Sequence, residues 1–334
     1  MQTLVTGGGG FLGQYIVEQL VARGDRVRSL SRKRHSALTK LGVEQQTGDI
    51  QDEVAVMAAC RGVECVFHVA AVAGIWGPWK HYHGINTLGT RNILHACQQA
   101  SVGKLVFTSS PSVTFAGQSQ SGIDESAPYP SRWLGHYSHT KALAEQLVLE
   151  ASGKNGLVTC ALRPHLVWGP RDAHLIPRLL DRARRGQLRQ VGDGSNRIDA
   201  VYVENAAAAH LLAADKLAPG SPASGRAYFI TNGEPVNCWE WIGQILTLAG
   251  LPPVKQKMTF RAAWMAGGML EGLWTILRRT DEPRMTRFLA AQLATDHYFD
   301  ISAARRDLGY RPQVSMAAGM ERLGAWLKSG GACG

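Results

Sequence analysis

The glycines of Thr6-Gly7-Gly8-Gly9-Gly10-Phe11-Leu12-Gly13 constrain this chain more than any other feature. Gly7, Gly10 and Gly13 stand at G-x-x-G-x-x-G spacing. A β-branched run, Thr3–Thr6, precedes them, and Leu12, Ile16 and Leu20 follow at helical spacing until Gly24. A glycine string alone also fits a plain turn. Between a strand and a helix it has a physical use: Gly7 permits a tight turn, Gly10 lets backbone approach a pyrophosphate, and Gly13 lets the helix pack closely on the sheet. The helix N-terminus then favours the anion.

The strand–helix alternation continues. Strands are predicted at Thr3–Thr6, Arg26–Ser31, Val43–Thr47, Cys65–Val69, Lys104–Ser109 and Leu157–Arg163, with helices from about Asn86 to Ala100 and Tyr137 to Ala151. This order predicts an α/β fold, a Rossmann-type doubly wound parallel sheet with helices on both faces. After residue 164 the order breaks. Helices are expected near Leu175–Arg185 and Val203–Asp215, then a strand at Ala227–Ile230. Asn237, with Glu240 as capping-box partner, opens a helix running to Gly250. Residues 1–165, rejoined by 199–230, are read as the dinucleotide-binding domain. Residues 166–198 and 231–330 are read as a smaller, interleaved C-terminal substrate-binding lobe.

The net charge of +10 asks for an anionic partner. The basic residues are scattered rather than clustered with aromatics, which argues against nucleic acid. An anionic cofactor and an acidic substrate explain the excess better. Six cysteines form no C-x-x-C pair, and with no metal site in view they are read as reduced core residues. Met1 to Thr6 run straight into the glycine loop without a basic, then apolar, leader. A cytoplasmic location is expected, peripheral to the membrane if the stretch discussed last touches lipid.

The end of the second strand selects the dinucleotide. NAD asks for a carboxylate there, accepting from the ribose 2′-hydroxyl. This chain offers Ser31-Arg32, with Lys33 and Arg34 behind, so nothing repels a 2′-phosphate and a guanidinium is at hand to pair with it. The expected cofactor is NADP, as NADPH; a solvated basic turn is the alternative. Asp49, ending the third strand, either accepts from the adenine amino group or caps the next helix, a role for which Asp52 competes.

Tyr137-Ser138-His139-Thr140-Lys141 puts a phenol and an ammonium at i and i+4 on one helix face. A phenol with pKa near 10 is a poor proton shuttle at neutral pH, and a nearby positive charge brings it into range. Alone the pair is weak evidence; downstream of the glycine loop it becomes specific.

With these motifs the chain resembles the extended short-chain dehydrogenase/reductases, most of all their 3β-hydroxysteroid dehydrogenase branch. The residues that carry the resemblance are Thr6-Gly7-x-x-Gly10-Phe11-x-Gly13, Gly48-Asp49, His68-x-Ala70-Ala71, Asn86-x-x-Gly89-Thr90, Thr108-Ser109-Ser110, Tyr137-x-x-x-Lys141, Arg163 to Pro170 and Val201 to Ala206. Ser110-Pro111-Ser112-Val113, Val191 to Asn196, Asn232 to Pro235 and Glu282-Pro283-x-x-Thr286-Arg287-Phe288 resemble the bacterial keto-acid reductases of long-chain olefin biosynthesis. The resemblance implies that Tyr137 is the general acid and that Lys141 lowers its pKa and binds the nicotinamide ribose. It gives Ser110 the substrate oxygen, with Ser109 and Ser112 close by as alternatives, and Asn86 a water relay to Lys141. Pro164, His165 and Val167 would line the nicotinamide pocket. Phe11, Leu12, Ile50, Ala70, Ala71 and Thr108 would also touch cofactor.

The activity implied is NADPH-dependent reduction of the 3-keto group of a long-chain 2-alkyl-3-oxoalkanoic acid. A 3β-hydroxysteroid or sterol-4-carboxylate dehydrogenase is the alternative, and an NADP-sensing binding protein is one of another class. A homodimer is implied, as is work beside thiolase, lactone synthetase and decarboxylase partners. Nucleotide-sugar epimerases of the wider family carry an arginine directly before the aspartate matching Asp199; here Ile198 stands there, with Arg197 one residue off.

Three substrate clues remain. Ile75 to His83 is unusually aromatic for a loop, fitting either a wall for a bulky apolar substrate or a plug of the core. His81 and His83 within it lack further ligands at metal spacing. Phe260 to Leu277 is apolar around most of a helix and closes on Arg278-Arg279; it is read as a lid, a membrane-surface contact or a plain core helix. Arg171, Arg197 and Arg287 are the candidates to pair with a substrate carboxylate.

Overall fold

A computed structural model describes residues 1–331, so Cys333 lies outside the described residues. Seven strands make the central sheet: β1 (Gln2–Thr6), β2 (Arg26–Ser31), β3 (Glu44–Thr47), β4 (Cys65–His68), β5 (Lys104–Thr108), β6 (Val158–Pro164) and β7 (Ala227–Ile230). Every pairing is parallel, in the order β7-β6-β5-β4-β1-β2-β3. The chain reverses its winding direction between β1 and β4, and a crevice opens at the carboxyl ends of strands at such a switch point.

Two-residue periodicity sorts the strand side chains. Val5, Cys65, Phe67 and Val106 face α1 (Phe11–Ala22) on one side. Leu4, Val66, Leu105 and Phe107 face α2 (Glu53–Cys60), α3 (Gly89–Gln99) and α4 (His136–Ala151) on the other. α5 (Val203–Lys216) joins α1 on its face, packing Ala206, Ala207, Ala209 and Ala213. Asp52 caps α2, accepting from the N–H groups of Val54 and Ala55. That leaves Asp49 bound only to its own turn, through the N–H and side-chain amide of Gln51.

The remaining segments build a second core around Trp168, Ile198, Tyr202, Trp241, Ile245 and Leu323. A small sheet pairs Val236–Asn237, Arg197–Ile198, His297–Phe299 and Gln120–Ile123 in that order. Asn237 opens the helix Cys238–Leu248, accepting from Trp239 and Glu240 N–H groups. The long apolar stretch forms α6 (Phe260–Ile276), capped by Thr259 and packed against the helix Arg287–Ala294. No helix among the described residues is long and apolar enough to cross a membrane.

The third helical stretch differs from expectation. It begins at Trp79 and passes through a π-helical turn, His83–Leu88, before α3. A tertiary clamp accounts for the wider turn: Asn86 is bonded through its amide to the Val72 backbone, as described next.

Candidate active site

The glycine loop is shaped by close approach. Gly7 adopts φ +70° and touches Ala70, where a Cβ would lie 3.0 Å from its Cα. At Gly13 a Cβ would meet the Gly7 carbonyl oxygen at 2.2 Å, so α1 packs on the loop only with glycine there. Gly10 is the N-cap of α1 with no side-chain cap, and no acidic residue stands in the first turn. Its free N–H groups and the glycine cradle fit a pyrophosphate. Arg32, Lys33 and Arg34 follow Ser31 at the end of β2, exposed and without side-chain partners among the described residues.

The other residues expected at a cofactor line the carboxyl ends of the strands. Asp49 and Ile50 follow β3, Ala70 and Ala71 follow β4, and Thr108 ends β5. Pro164 ends β6, with His165 and Val167 just beyond. His165 is buried and its Nδ1 bonds the Asp199 carbonyl. Nδ1 must donate there, and burial holds the imidazole neutral, its pKa well below the ordinary value.

His68 ties the glycine loop to the catalytic helix. Thr6 Oγ1 accepts from the N–H groups of Val69 and Ala70, so its own hydrogen goes to His68 Nδ1, 2.8 Å away. Thr90 Oγ1 donates to the Asn86 carbonyl at 2.6 Å, so His68 Nε2 donates to Thr90 at 2.9 Å. Burial first, then the Lys141 charge, pulls His68 down to about 3, keeping this tautomer neutral. Asn86 accepts from Val72 N–H at 2.8 Å and donates to the Val72 carbonyl and to Thr140 Oγ1. Thr140 in turn donates to the Tyr137 carbonyl at 3.1 Å. Asn86 therefore links the Val72 backbone to the first turn of α4, with one amide hydrogen on each.

Tyr137 is half-buried and faces the Ser110 hydroxyl. Burial raises its pKa above the ordinary phenol value, and the Ser110 hydrogen bond acts in the opposite direction. Of the three serines, Ser110 is the one whose hydroxyl acts on the phenol. Ser109 Oγ is buried without a partner, and Ser112 backs Ser110, its N–H donating to Ser110 Oγ at 3.2 Å with the two hydroxyls 2.9 Å apart. Lys141 is 1% exposed. Its ammonium donates to the Thr108 carbonyl at 2.6 Å and lies 3.9 Å over the Phe107 ring, rather than bonding the phenol. Burial pulls it down to about 7, and Glu145, one turn further along α4, pulls it back up. Glu145 is itself buried, accepting from Arg163 and from Tyr129 at 2.7 Å. Nothing in the sequence pattern marked this pair, since 18 residues separate Arg163 from Glu145.

His136 and His139, which flank Tyr137 in the first turn of α4, line a cavity of about 980 Å³. The aromatic loop forms a wall of it, through Trp76, Trp79 and Tyr82, and Trp133, His139 and Trp274 add further rings. His139 is stacked on Trp133 and tilted against Trp79. Of the three arginine candidates Arg287 borders this cavity, held by Glu271 through Nε at 2.6 Å and through its backbone N–H at 2.7 Å. Arg171 instead pairs with Glu18 over the Tyr15 ring, and exposed Arg197 donates to the Pro235 carbonyl. Ile198 is buried, so no arginine takes the position before Asp199.

A model of the 3-beta hydroxysteroid dehydrogenase/isomerase family matches residues 4–260. The chain belongs to that family. It is 48% identical to a 2-alkyl-3-oxoalkanoate reductase of Stenotrophomonas maltophilia, over 97% of this chain and 99% of that one. A second 2-alkyl-3-oxoalkanoate reductase, of Shewanella oneidensis, is 47% identical over 97% of this chain and 85% of its own. The mouse sterol-4-alpha-carboxylate 3-dehydrogenase, decarboxylating, is 34% identical over 95% and 88%. Among solved structures, the UDP-glucose 4-epimerase of Thermus thermophilus in complex with NAD superposes with TM-score 0.74 at 26% identity, covering 98% of this chain and 99% of that one. This 3-beta hydroxysteroid dehydrogenase family member is an oxidoreductase acting on CH–OH or C=O groups, with a nicotinamide-dinucleotide fold.

Proposed function

We propose that this family member reduces the 3-keto group of long-chain 2-alkyl-3-oxoalkanoic acids with NADPH, giving 3-hydroxy acids for olefin formation. The observation that carries the reading is the Tyr137 phenol set against the Ser110 hydroxyl, on a helix whose His136 and His139 line an aromatic-walled cavity of about 980 Å³. Relatives at 47–48% identity bearing the keto-acid reductase name support the substrate class.

When bound, the nicotinamide supplies the hydride. Ser110 Oγ accepts from Ser112 N–H, which leaves its own hydrogen to steady the carbonyl oxygen. Tyr137 is the proton donor to that oxygen, and its raised pKa keeps the phenol protonated at neutral pH, as reduction requires. Lys141 is placed one helical turn along the same face, where moving off the Thr108 carbonyl frees its ammonium for the ribose. Arg32 would hold the 2′-phosphate, because no carboxylate ends β2.

Purified protein assayed with NADPH and NADH, each against a 2-alkyl-3-oxoalkanoate and a sterol-4-carboxylate substrate, tests the reading. Keto-acid turnover with NADPH supports it. Sterol turnover without keto-acid activity would put the sterol enzyme first.

A further inference from the structure

α6 presents an apolar stripe to solvent. Met265, Met269, Leu273 and Ile276 are 66, 70, 46 and 79% exposed. Steps of three and four residues place them along one face. No described residue covers this stripe, and a contiguous exposed apolar surface of this kind marks an interaction site. The opposite face carries Glu271, Trp274 and Thr275, which line the aromatic-walled cavity with His136 and His139.

Charge identifies what fits the stripe. Between residues 255 and 287 the chain has three carboxylates, and each is matched within the fold. Glu271 is paired with Arg287, Asp281 with Arg279, and Glu282 with Arg178 and Arg182. Lys255, Lys257, Arg261, Arg278 and Arg284 are exposed and have no side-chain partner among the described residues. Arg261 lies one turn before Met265 on the stripe itself, and Arg278 follows its far end. An apolar face flanked at both ends by unneutralised long cations suits an interface that is greasy within and negative at its rim. A second copy of this chain would set these cations against their own kind.

We propose that α6 docks the protein on the surface of an anionic phospholipid bilayer. Met265, Met269, Leu273 and Ile276 enter the outer acyl layer, and the flanking lysines and arginines meet the headgroups. Docking would set the cavity wall against the phase in which a long-chain apolar substrate dissolves. The docking itself does not depend on which ketone is reduced.

The test is co-sedimentation of the full chain with vesicles of phosphatidylcholine alone, or with about 30% phosphatidylglycerol added. The expected result is retention on the anionic vesicles, weakening as salt rises. Met269→Asp and Ile276→Asp should each lower retention about tenfold. Val54→Asp, at an exposed site elsewhere, should leave it unchanged. Melting temperature and turnover of a short, water-soluble 3-oxo acid should be unaltered in all three, which separates docking from misfolding. Absence of wild-type retention on anionic vesicles overturns the proposal, as does equal retention of wild type and both α6 variants. A homodimer in light scattering that Met269→Asp dissolves, with no vesicle binding, assigns the stripe to a second copy instead.

Discussion

Replacing Lys141 by methionine should make the cofactor-free protein more stable while removing its activity. The lysine is buried, and its pKa is pulled from 10.5 to about 7, a difference of 3.5. At about 1.36 kcal/mol for each pH unit, an upper bound of about 5 kcal/mol opposes folding at neutral pH. Methionine of similar length removes that penalty. It also forfeits the hydrogen bond to Thr108, of about 1.5–3 kcal/mol. The contact with the Phe107 ring adds about 0.5–2 kcal/mol to the loss. The net gain expected near pH 7 is about 1–2 kcal/mol.

The pH dependence gives the sharper test. Because the folded pKa is depressed, the unfolded chain binds the extra proton between about pH 7 and 10.5. The lysine's penalty is thus full below about pH 7 and fades as pH rises towards 10.5. Urea unfolding of both proteins without cofactor, at about pH 6, 8 and 10, reads the gap directly. The variant's advantage should be largest at the lowest pH and disappear at the highest. A variant less stable than wild type at pH 7, or a gap indifferent to pH, would refute the reasoning.

Tyr137→Phe should lower ketone reduction by about 10²–10⁴-fold while NADPH binding, followed by cofactor fluorescence, is retained. Because the Tyr137 phenol is held above its ordinary value, loss of this acid should lower the reductive rate only in strongly alkaline solution; a fall near neutrality in a pH–rate profile that persists in Lys141→Arg would contradict this. Arg32→Glu should raise the KM for NADPH at least about tenfold, a loss of about 1.4 kcal/mol, and spare that for NADH. Glu145→Ala should cost about 3–5 kcal/mol in denaturant unfolding, since it strands the buried Arg163 guanidinium.

The dinucleotide half was legible because its signals are local. The short apolar runs of β4 and β5, and the glycine spacing before α1, each follow from a few adjacent residues, and β2 and β7 lie where the pattern put them. The π-helical turn was not legible, because its cause is the contact of Asn86 with Val72, 14 residues away. The two-residue strands Arg197–Ile198 and Val236–Asn237 are too short to show a period, and their pairing comes from the tertiary fold.

At the site, the i and i+4 spacing revealed Tyr137 and Lys141, but sequence could not choose among Ser109, Ser110 and Ser112. That choice rests on what each hydroxyl meets in the fold: Ser110 acts on the phenol, Ser112 backs Ser110, and Ser109 is buried without a partner among the described residues. The aromatic loop stood out by composition, whereas its partners Trp133 and His139 reach the cavity through a different segment and left no pattern. The resting contact of Lys141 with Thr108 joins α4 to β5 across 33 residues, so its burial was equally hidden.

Single-turnover reduction of a 2-alkyl-3-oxoalkanoate, followed by NADPH absorbance in wild type and Tyr137→Phe, bears most directly on the central claim. The account predicts rapid cofactor oxidation with 3-hydroxy acid formed by wild type, and almost none by the variant although it binds NADPH. Equal single-turnover rates in the two proteins would contradict it.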